Sequence, residues 1–584
     1  MIVSKARYTA ASIGIALFIG YFSGLQYSDL TTRKVETQDL SSTNKVEFET
    51  LKLKPFPKAE VLAAKKFSSL RAADEFVEPF HERHDFKWSP SYAVSAPSFD
   101  SKNRPYFRYN DREQTVPVAN GFQTLRQNSW THYPFMAEQL LPFYDSKAAD
   151  LIMQSKQDIL WDPKMAVFDK NDRMYTVLRM KTTVFNKDTS YVMMYSDDKG
   201  LNWQGLPLVG TKDTACIFRV LGTNDCPLPQ LYDLERPHSR APLQGPPAML
   251  YYLSDGKLPG FEKDYSWLGT VGKLYLQPIS RNSKGQLEAE KPVLLSLSAQ
   301  EIGYRSGSSP KIIRSGNKYF VVWLEANREF KPKMNSAGRA IIPKPDANNQ
   351  PYSEIWIAEY DLKTKKVSKK PILKSWPVND THNQPGIVRT WNGNLIVVSG
   401  GHGSHFMSTY SLKPDSIADW SKEVPMNTVD TGYKSNYSSP VWGGGSQTYI
   451  SMMIDANDTV HTIYRQWMHD KKVFDFEYFG ALVYQNGNFD RKTKTFRWNP
   501  ARVLVYPNAP EYTHWYQVMT VDRKDNIYVE YSNMRPYPPY QVKDAKGQPS
   551  FVSPYLNNAL LRSENNGKTW SLVSDDDLKK AQIK

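Results

Sequence analysis

Six times along the chain an alternating apolar segment runs into a polar turn carrying Asn, Asp or Gly and returns as a second apolar segment. The copies occupy residues 96–107, 165–175, 311–323, 386–398, 450–461 and 518–529. Alternation of period two on both sides of a short polar turn is the pattern of an antiparallel hairpin. The turns begin near residues 100, 169, 315, 390, 455 and 522, in steps of 69, 146, 75, 65 and 67. The long step is two units of 73 and places a seventh, degraded copy near residue 242, where Pro246–Leu253 followed by Ser254, Asp255 and Gly256 supplies an apolar segment and a turn. Short strands repeating at this period, with no linker between units, predict an all-β, seven-bladed β-propeller with four strands per blade. They disfavour a row of separate sandwich domains.

Two further segments carry turn chemistry. Ser196-Asp-Asp-Lys-Gly-Leu-Asn-Trp203 and Ser563-Glu-Asn-Asn-Gly-Lys-Thr-Trp570 both fit Ser-x-Asp/Asn-x-Gly-x-x-Trp. A short polar side chain, a glycine able to take positive φ and a tryptophan to bury make a compact turn on an outer hairpin. The pattern resembles the Asp-box, the bacterial neuraminidase repeat of sialidase-like propellers, and implies a structural role for Asp198 and Asn565.

Composition narrows the class of partner. The chain has 584 residues, 40% hydrophobic and 13% aromatic, enough to build a core, and a formal charge of +14. An excess of positive charge suits an anionic partner, but without a Lys/Arg-rich tract it argues against nucleic acid. Lys5 and Arg7 precede an apolar run from Ala10 to Leu25. The run reads as an export signal peptide or a membrane anchor, and the absence of a small-x-small pair after it favours the anchor. The expected layout is therefore a signal or anchor over 1–27, a Thr/Ser/Lys/Glu-rich linker over 28–60 and the propeller over 61–584. The body is expected in the periplasm or outside the cell. Cys216 and Cys226, ten apart, are either a small-loop disulfide of an oxidising compartment or two thiols, and two cysteines alone make no zinc site. His81 and His84 read as a surface stretch rather than a metal pair.

Candidate chemistry gathers in the fifth hairpin. His382 and His402 are equidistant from the Asn392-Gly393 turn, so a continuous ladder would set them opposite one another at its open end. The Gly400-Gly401-His402-Gly403 context lets a ligand approach the backbone. By the same folding back, Tyr304 and Arg305, then Tyr449, Tyr464 and Arg465, then Tyr512, His514, Trp515 and Tyr516 fall at corresponding open ends. Tyr449 is also compatible with a core position, and Arg179 opposite Asp162 reads as a structural pair.

The His-Asn-x-Pro segment at His382, the strand-turn-strand, and the Gly-Gly-His-Gly segment at His402, followed by Ser411-Leu-Lys-Pro-Asp-Ser-Ile-Ala-Asp-Trp420, resemble the propeller family of ulvan lyases and rhamnose-glucuronate lyases. The likeness is strongest over residues 300 to 575. It implies β-elimination on an acidic, uronate-containing polysaccharide, with His382, His402, Tyr437, Arg465 and Tyr512 as catalytic residues. It further implies Asn383, His405, Arg305, His514 and Trp515 as substrate-binding residues. A neutral histidine can remove the C5 proton, an arginine can stabilise the enolate-like charge, and a tyrosine can protonate the leaving oxygen. Propellers of this kind can carry a structural metal ion, for which the sequence marks no ligands. In one respect the chain departs from the family: its histidine pair lies in the fifth unit, where an early blade is expected. A sialidase-like glycoside hydrolase is the alternative enzyme, although no Arg-Ile-Pro segment is present, and a non-catalytic glycan-binding propeller is the alternative without chemistry.

Overall fold

The computed structural model describes residues 96–109, 121–126, 129–134, 159–163, 165–182, 189–207, 231–257, 270–300, 309–336, 340–341, 351–399, 401–426, 447–468, 479–505, 514–534, 542–543, 549–550 and 556–583. The segments 1–27 and 28–60, His81, His84, Cys216, Cys226, Tyr304, Arg305, Tyr437 and Tyr512 lie outside them. Among the described residues no helix is long and apolar enough to cross a membrane.

The fold is all-β, and its sheets are antiparallel meanders laid down in chain order. The first contains Ser98–Phe99, Pro105–Tyr109, Gly121–Arg126 and Ser129–Pro134, and the second spans 159–207. Meanders over 231–300 and 312–375 follow, joined at Ala299 and Glu325. Next come Gly386–Arg389, Leu395–Val398, Met407–Tyr410 and Val424–Pro425. The last two meanders span 447–505 and 514–572.

Each sheet is buried on both faces, which explains the runs of consecutive apolar residues at the strands. Alternate side chains of one strand enter different cores. Ile387, Leu395 and Val397 pack with Phe320 and Ile355 of the preceding sheet. Val388, Ile396 and Val398 pack with Met452, Tyr464 and Val483 of the following one. The same relation links 159–207 to 231–300, 231–300 to 312–375, and 447–505 to 514–572. Tyr106 meets Phe168 at 5.0 Å between the first two sheets. Tyr528 and Leu560 of the last sheet pack with Phe99, Phe107 and Leu125 of the first, so the circuit of sheets closes on itself. The C-terminal helix Asp575–Ala581 ties the seam, with Ala581 accepting from Asn103 Nδ2 and the amide of Ile583 donating to Lys102.

The expected hairpin turns at 100, 169, 315, 390, 455 and 522 are present. Four share one device. Asp100, Asp169, Asp455 and Asp522 are buried, and each accepts the amides two and four residues ahead on the same carboxylate oxygen. The third residue after each aspartate, Asn103, Asp172, Asp458 and Asp525, has positive φ, a conformation Asn and Asp tolerate best among non-glycine residues. Thr390 substitutes in the fifth hairpin, accepting the Asn394 amide on Oγ1. The Asp-boxes are structural as expected. Ser196 and Ser563 accept the amides of Gly200 and Gly567, Asp198 and Asn565 accept those of Asn202 and Thr569, and Trp203 and Trp570 are buried.

The copy near residue 242 is built differently from the expectation. Its first strand is Leu231–Leu234, and Ser254, Asp255 and Gly256 lie inside the partner strand Met249–Lys257 as a bulge rather than forming the turn. The connection between those strands crosses toward distant sheets instead of turning back at once. Leu243 exchanges backbone hydrogen bonds with Phe168 and Lys170, His238 O accepts from the Ile454 amide, and Arg240 pairs with Asp525 at 2.8 Å. No local sequence pattern announces a segment whose partners lie in other repeats, two of them more than 200 residues away.

Candidate functional site

At the end of the hairpins opposite the aspartate turns, the inner strands converge closely. A Cβ on Gly386 would lie 2.5 Å from Ser309 Cβ and 2.6 Å from Met452 Sδ, so only glycine fits there. Just before Gly386 the chain makes a tight buried turn. Asn383 Nδ2 donates to Pro377 O at 2.7 Å, Gln384 Nε2 donates to Thr381 O, and the Asn383 amide donates to Asp380 O. Asp380 accepts the His382 amide at 2.9 Å, and the same oxygen lies 2.5 Å from His382 Nδ1. His382 is 5% exposed and Asp380 fully buried. An ionised Asp380 can only accept, so it places the imidazole proton on Nδ1 and leaves the Nε2 lone pair for another proton.

The next sheet supplies the facing groups through a bulge. The Gln447–Ile454 strand pairs Thr448 with Arg465 and Ser451 with Ile463, so Tyr449 and Ile450 together stand opposite Tyr464 alone. Tyr449 takes φ +59° there. Extra residues of this kind re-aim side chains at strand ends. The Tyr449 ring centre lies 5.8 Å from that of His382, and the Arg465 guanidinium sits 4.6 Å from the Tyr449 ring centre and 5.0 Å from that of Trp467. Arg465 is 1% exposed and donates from Nε to Thr448 Oγ1 at 3.1 Å. A Cβ on Gly480 would come within 3.1 Å of Arg465 Cδ, so the neighbouring strand leaves room for this side chain. The 514–572 sheet repeats the bulge between Trp515 and Val518, and Gln517 Nε2 donates from it to Tyr449 O.

The expected site residues are only partly brought together. His382, Tyr449 and Arg465 form one buried cluster of imidazole, phenol and guanidinium, the imidazole tilted 45° to the phenol ring. Asn383 and His405 are buried in the same sheet region. The cross-strand pairing of His382 with His402 does not form. The ladder ends at Gly386 and Val398, Ser399 turns back to bond Met407, and His402 joins the next sheet opposite Thr448. His402 is thereby placed in register beside the Thr448 and Arg465 pair. Tyr464 points the other way from its neighbour Arg465. It packs against Phe406 at 5.4 Å in the core and does not reach the open end. Arg179 and Asp162 are register partners, as expected. His514 and Trp515 begin the His514–Val521 strand, in register with Asn533 and Ser532.

Asp380, Thr448, Trp467 and Gln517 were not singled out from sequence. Only Asp380, two residues before a candidate histidine, carried a readable signal. Among the described residues no group of three or more His, Cys, Asp or Glu side chains could hold a metal ion.

No protein-family model matches the chain, and no curated protein does. Solved structures similar to it include an ulvan lyase bound to a glucuronate and sulfated-rhamnose saccharide, at 12% identity and TM-score 0.29, covering 49% of this chain and 60% of that one. Trypanosoma rangeli sialidase matches at 9% identity and TM-score 0.35, covering 79% of this chain and 60% of that one. A protein of unknown function from Dyadobacter fermentans matches at 12% identity and TM-score 0.34, covering 65% and 95%. The chain thus spans about 60% of the length of the ulvan lyase it matches.

Proposed function

We propose that this chain is a seven-bladed propeller whose open end cleaves a uronate-containing polysaccharide by β-elimination. It works outside the cytoplasm, where residues 1–27 direct or hold it. The observation that carries the reading is the buried cluster of Asp380, His382, Tyr449 and Arg465. It sits where the His-Asn-x-Pro and Gly-Gly-His-Gly segments resemble those of ulvan lyases.

In this reaction His382 Nε2 takes the proton from C5 of the uronate. The C5–H electron pair forms the C4–C5 double bond, the C4–O4 bond breaks, and the departing O4 receives a proton. Asp380 fixes the imidazole tautomer and stabilises the imidazolium formed on proton uptake. Arg465 supplies positive charge for the carboxylate as negative charge spreads onto it, and burial makes that charge more effective than it would be in water. The Tyr449 phenol, between imidazole and guanidinium, is the proton donor to O4. Among the described residues the carboxylate in this cluster, Asp380, is already bonded to a histidine, which supports elimination over a hydrolase with two opposed carboxylates.

The test is product analysis. The protein from about residue 55 onward is incubated with a panel of uronate polysaccharides, ulvan included, and ultraviolet absorbance and reducing ends are followed together. Elimination leaves an unsaturated uronate, so both rise. Reducing ends without absorbance would make the protein a hydrolase, and binding with neither would make it a glycan-binding propeller.

A further inference from the structure

The turn end of the 386–425 sheet carries a surface feature that the site at the open end does not use. A groove of about 680 Å³ lies between the edge strand Val367–Ser375, the 411–420 connection and the Asp490–Thr495 turn. Lys370, Lys413 and Lys494 line it against one acidic group, Asp419, which pairs with Lys413 at 2.7 Å and leaves a surplus of two positive charges. Its apolar wall is Leu412, 45% exposed, with Trp420 beside it. The Lys370 ammonium reaches across to Ala418 O at 2.9 Å, and Trp420 Nε1 donates to Ile417 O, so the walls are braced from both sides.

The feature continues onto the adjoining turn. A Cβ on Gly393 would touch Asp415 and Pro414, so the Thr390–Gly393 turn lies against the connection that carries Leu412 and Lys413. Trp391 in that turn is 52% exposed. Asp458 accepts the Trp391 amide at 2.7 Å on one oxygen and Arg491 Nε at 2.5 Å on the other, which fixes the backbone that carries the exposed indole. Lysine and proline on an edge strand also serve to block sheet-to-sheet pairing. That role accounts for Lys370 and Pro371, but not for Trp391, Leu412 and Lys494, which lie on other elements.

We propose that this surface is an accessory binding site for an anionic polysaccharide chain. The lysines take its carboxylate or sulfate groups, and Trp391 and Leu412 take the apolar faces of its sugar rings. The groove's concavity and its surplus of positive charge favour an extended polyanion over a flat lipid surface. The choice of a glycan rests on the proposed function, whereas the anionic character of the occupant rests on the groove alone. Because Trp391 and His382 lie at opposite ends of the Gly386–Arg389 strand, this site would retain polymer without occupying the open end.

The experiment is affinity electrophoresis of the full chain in gels containing polygalacturonate, with neutral dextran and dextran sulfate as controls and anionic phospholipid vesicles in a separate sedimentation arm. The expected result is retardation by polygalacturonate but not by dextran. The Lys370→Ala/Lys413→Ala/Lys494→Ala variant should weaken it at least tenfold and Trp391→Ala several-fold, with unchanged thermal midpoints. Unaltered retardation in the triple variant would overturn the proposal. So would retardation by dextran sulfate that ignores Trp391→Ala, which would mean charge alone, or lysine-dependent vesicle binding in place of glycan binding. Failure of the elimination reading looks different: absorbance stays flat while lysine-dependent retardation persists.

Discussion

The two ends of the same hairpins are built on opposite principles. At the turn end, buried carboxylates are saturated locally. Asp522 accepts the Lys524 and Asn526 amides, the Asn526 and Asn103 side-chain amides and the Tyr528 hydroxyl. At the open end, the ladder between Gly386–Arg389 and Leu395–Val398 stops short of the histidines, and two neighbouring sheets carry bulges. There an imidazole, a phenol and a guanidinium are gathered under cover. The first end spends its polar groups on holding the chain, and the second keeps polar groups pointed at one another across sheets. On the proposed function, stability and chemistry are thereby separated along each strand by only a few residues.

Substitutions at the two ends should therefore fail in different ways. Arg465→Met, which keeps the side-chain volume, is expected to lower kcat/KM for elimination about a thousandfold, roughly 4 kcal/mol, with the urea midpoint little changed. A comparable loss of folding stability with activity retained per folded molecule would move Arg465 into the scaffold. Asp522→Ala should do the reverse. It orphans several donors and should lower unfolding free energy by about 4 kcal/mol, while kcat of the folded fraction stays within twofold.

The crossing segment gives a subtler contrast through pH. Burial raises the Glu235 carboxyl to about 7 and lowers the His238 imidazole to about 4, the latter helped by the nearby Arg389 charge. A carboxyl raised on folding contributes stability that is present below its unfolded pKa near 4.5 and is lost as pH climbs to about 7. A histidine lowered on folding contributes the opposite slope, with stability lost as pH falls from about 6.5 to about 4. The two slopes oppose each other between pH 4.5 and 6.5. Glu235→Gln should unmask the histidine slope and gain up to about 3 kcal/mol at pH 8, as read from urea unfolding at pH 5 and 8. A wild-type-like pH profile in that variant would remove Glu235 from this balance. The smallest expected effect is that of Asp380→Asn, about thirtyfold in kcat, roughly 2 kcal/mol, with KM unchanged and the acidic limb of the pH profile moved. An equal loss in KM alone would make Asp380 a binding group.

What sequence could reveal follows the same division. The turn aspartates and both Asp-boxes close hydrogen bonds within four residues, so their spacing is written in consecutive positions, and the turns of the six clear copies fell where the repeat placed them, unlike that of the degraded seventh. The open end depends on events that spacing does not encode. Equidistance from Asn392 predicted a His382 and His402 pair, but the chain leaves the ladder at Ser399 and carries His402 to the next sheet. Tyr449 was ambiguous between rim and core because a bulge, not alternation, decides its direction. Tyr464 was misplaced for a simpler reason: it and Arg465 are consecutive on a strand with unbroken register, so alternation sends them to opposite faces. The crossing of His238 to Ile454 was invisible because its partners belong to remote repeats.

The measurement that bears most directly on this account is the initial rate of ultraviolet absorbance increase on a uronate polysaccharide, wild type beside His382→Ala, with far-ultraviolet circular dichroism confirming that both are folded. The account predicts a rise with wild type and a loss of at least a thousandfold in the variant. An unchanged rise in His382→Ala would show that the base lies elsewhere, and a folded wild type that gives reducing ends without absorbance would contradict elimination itself.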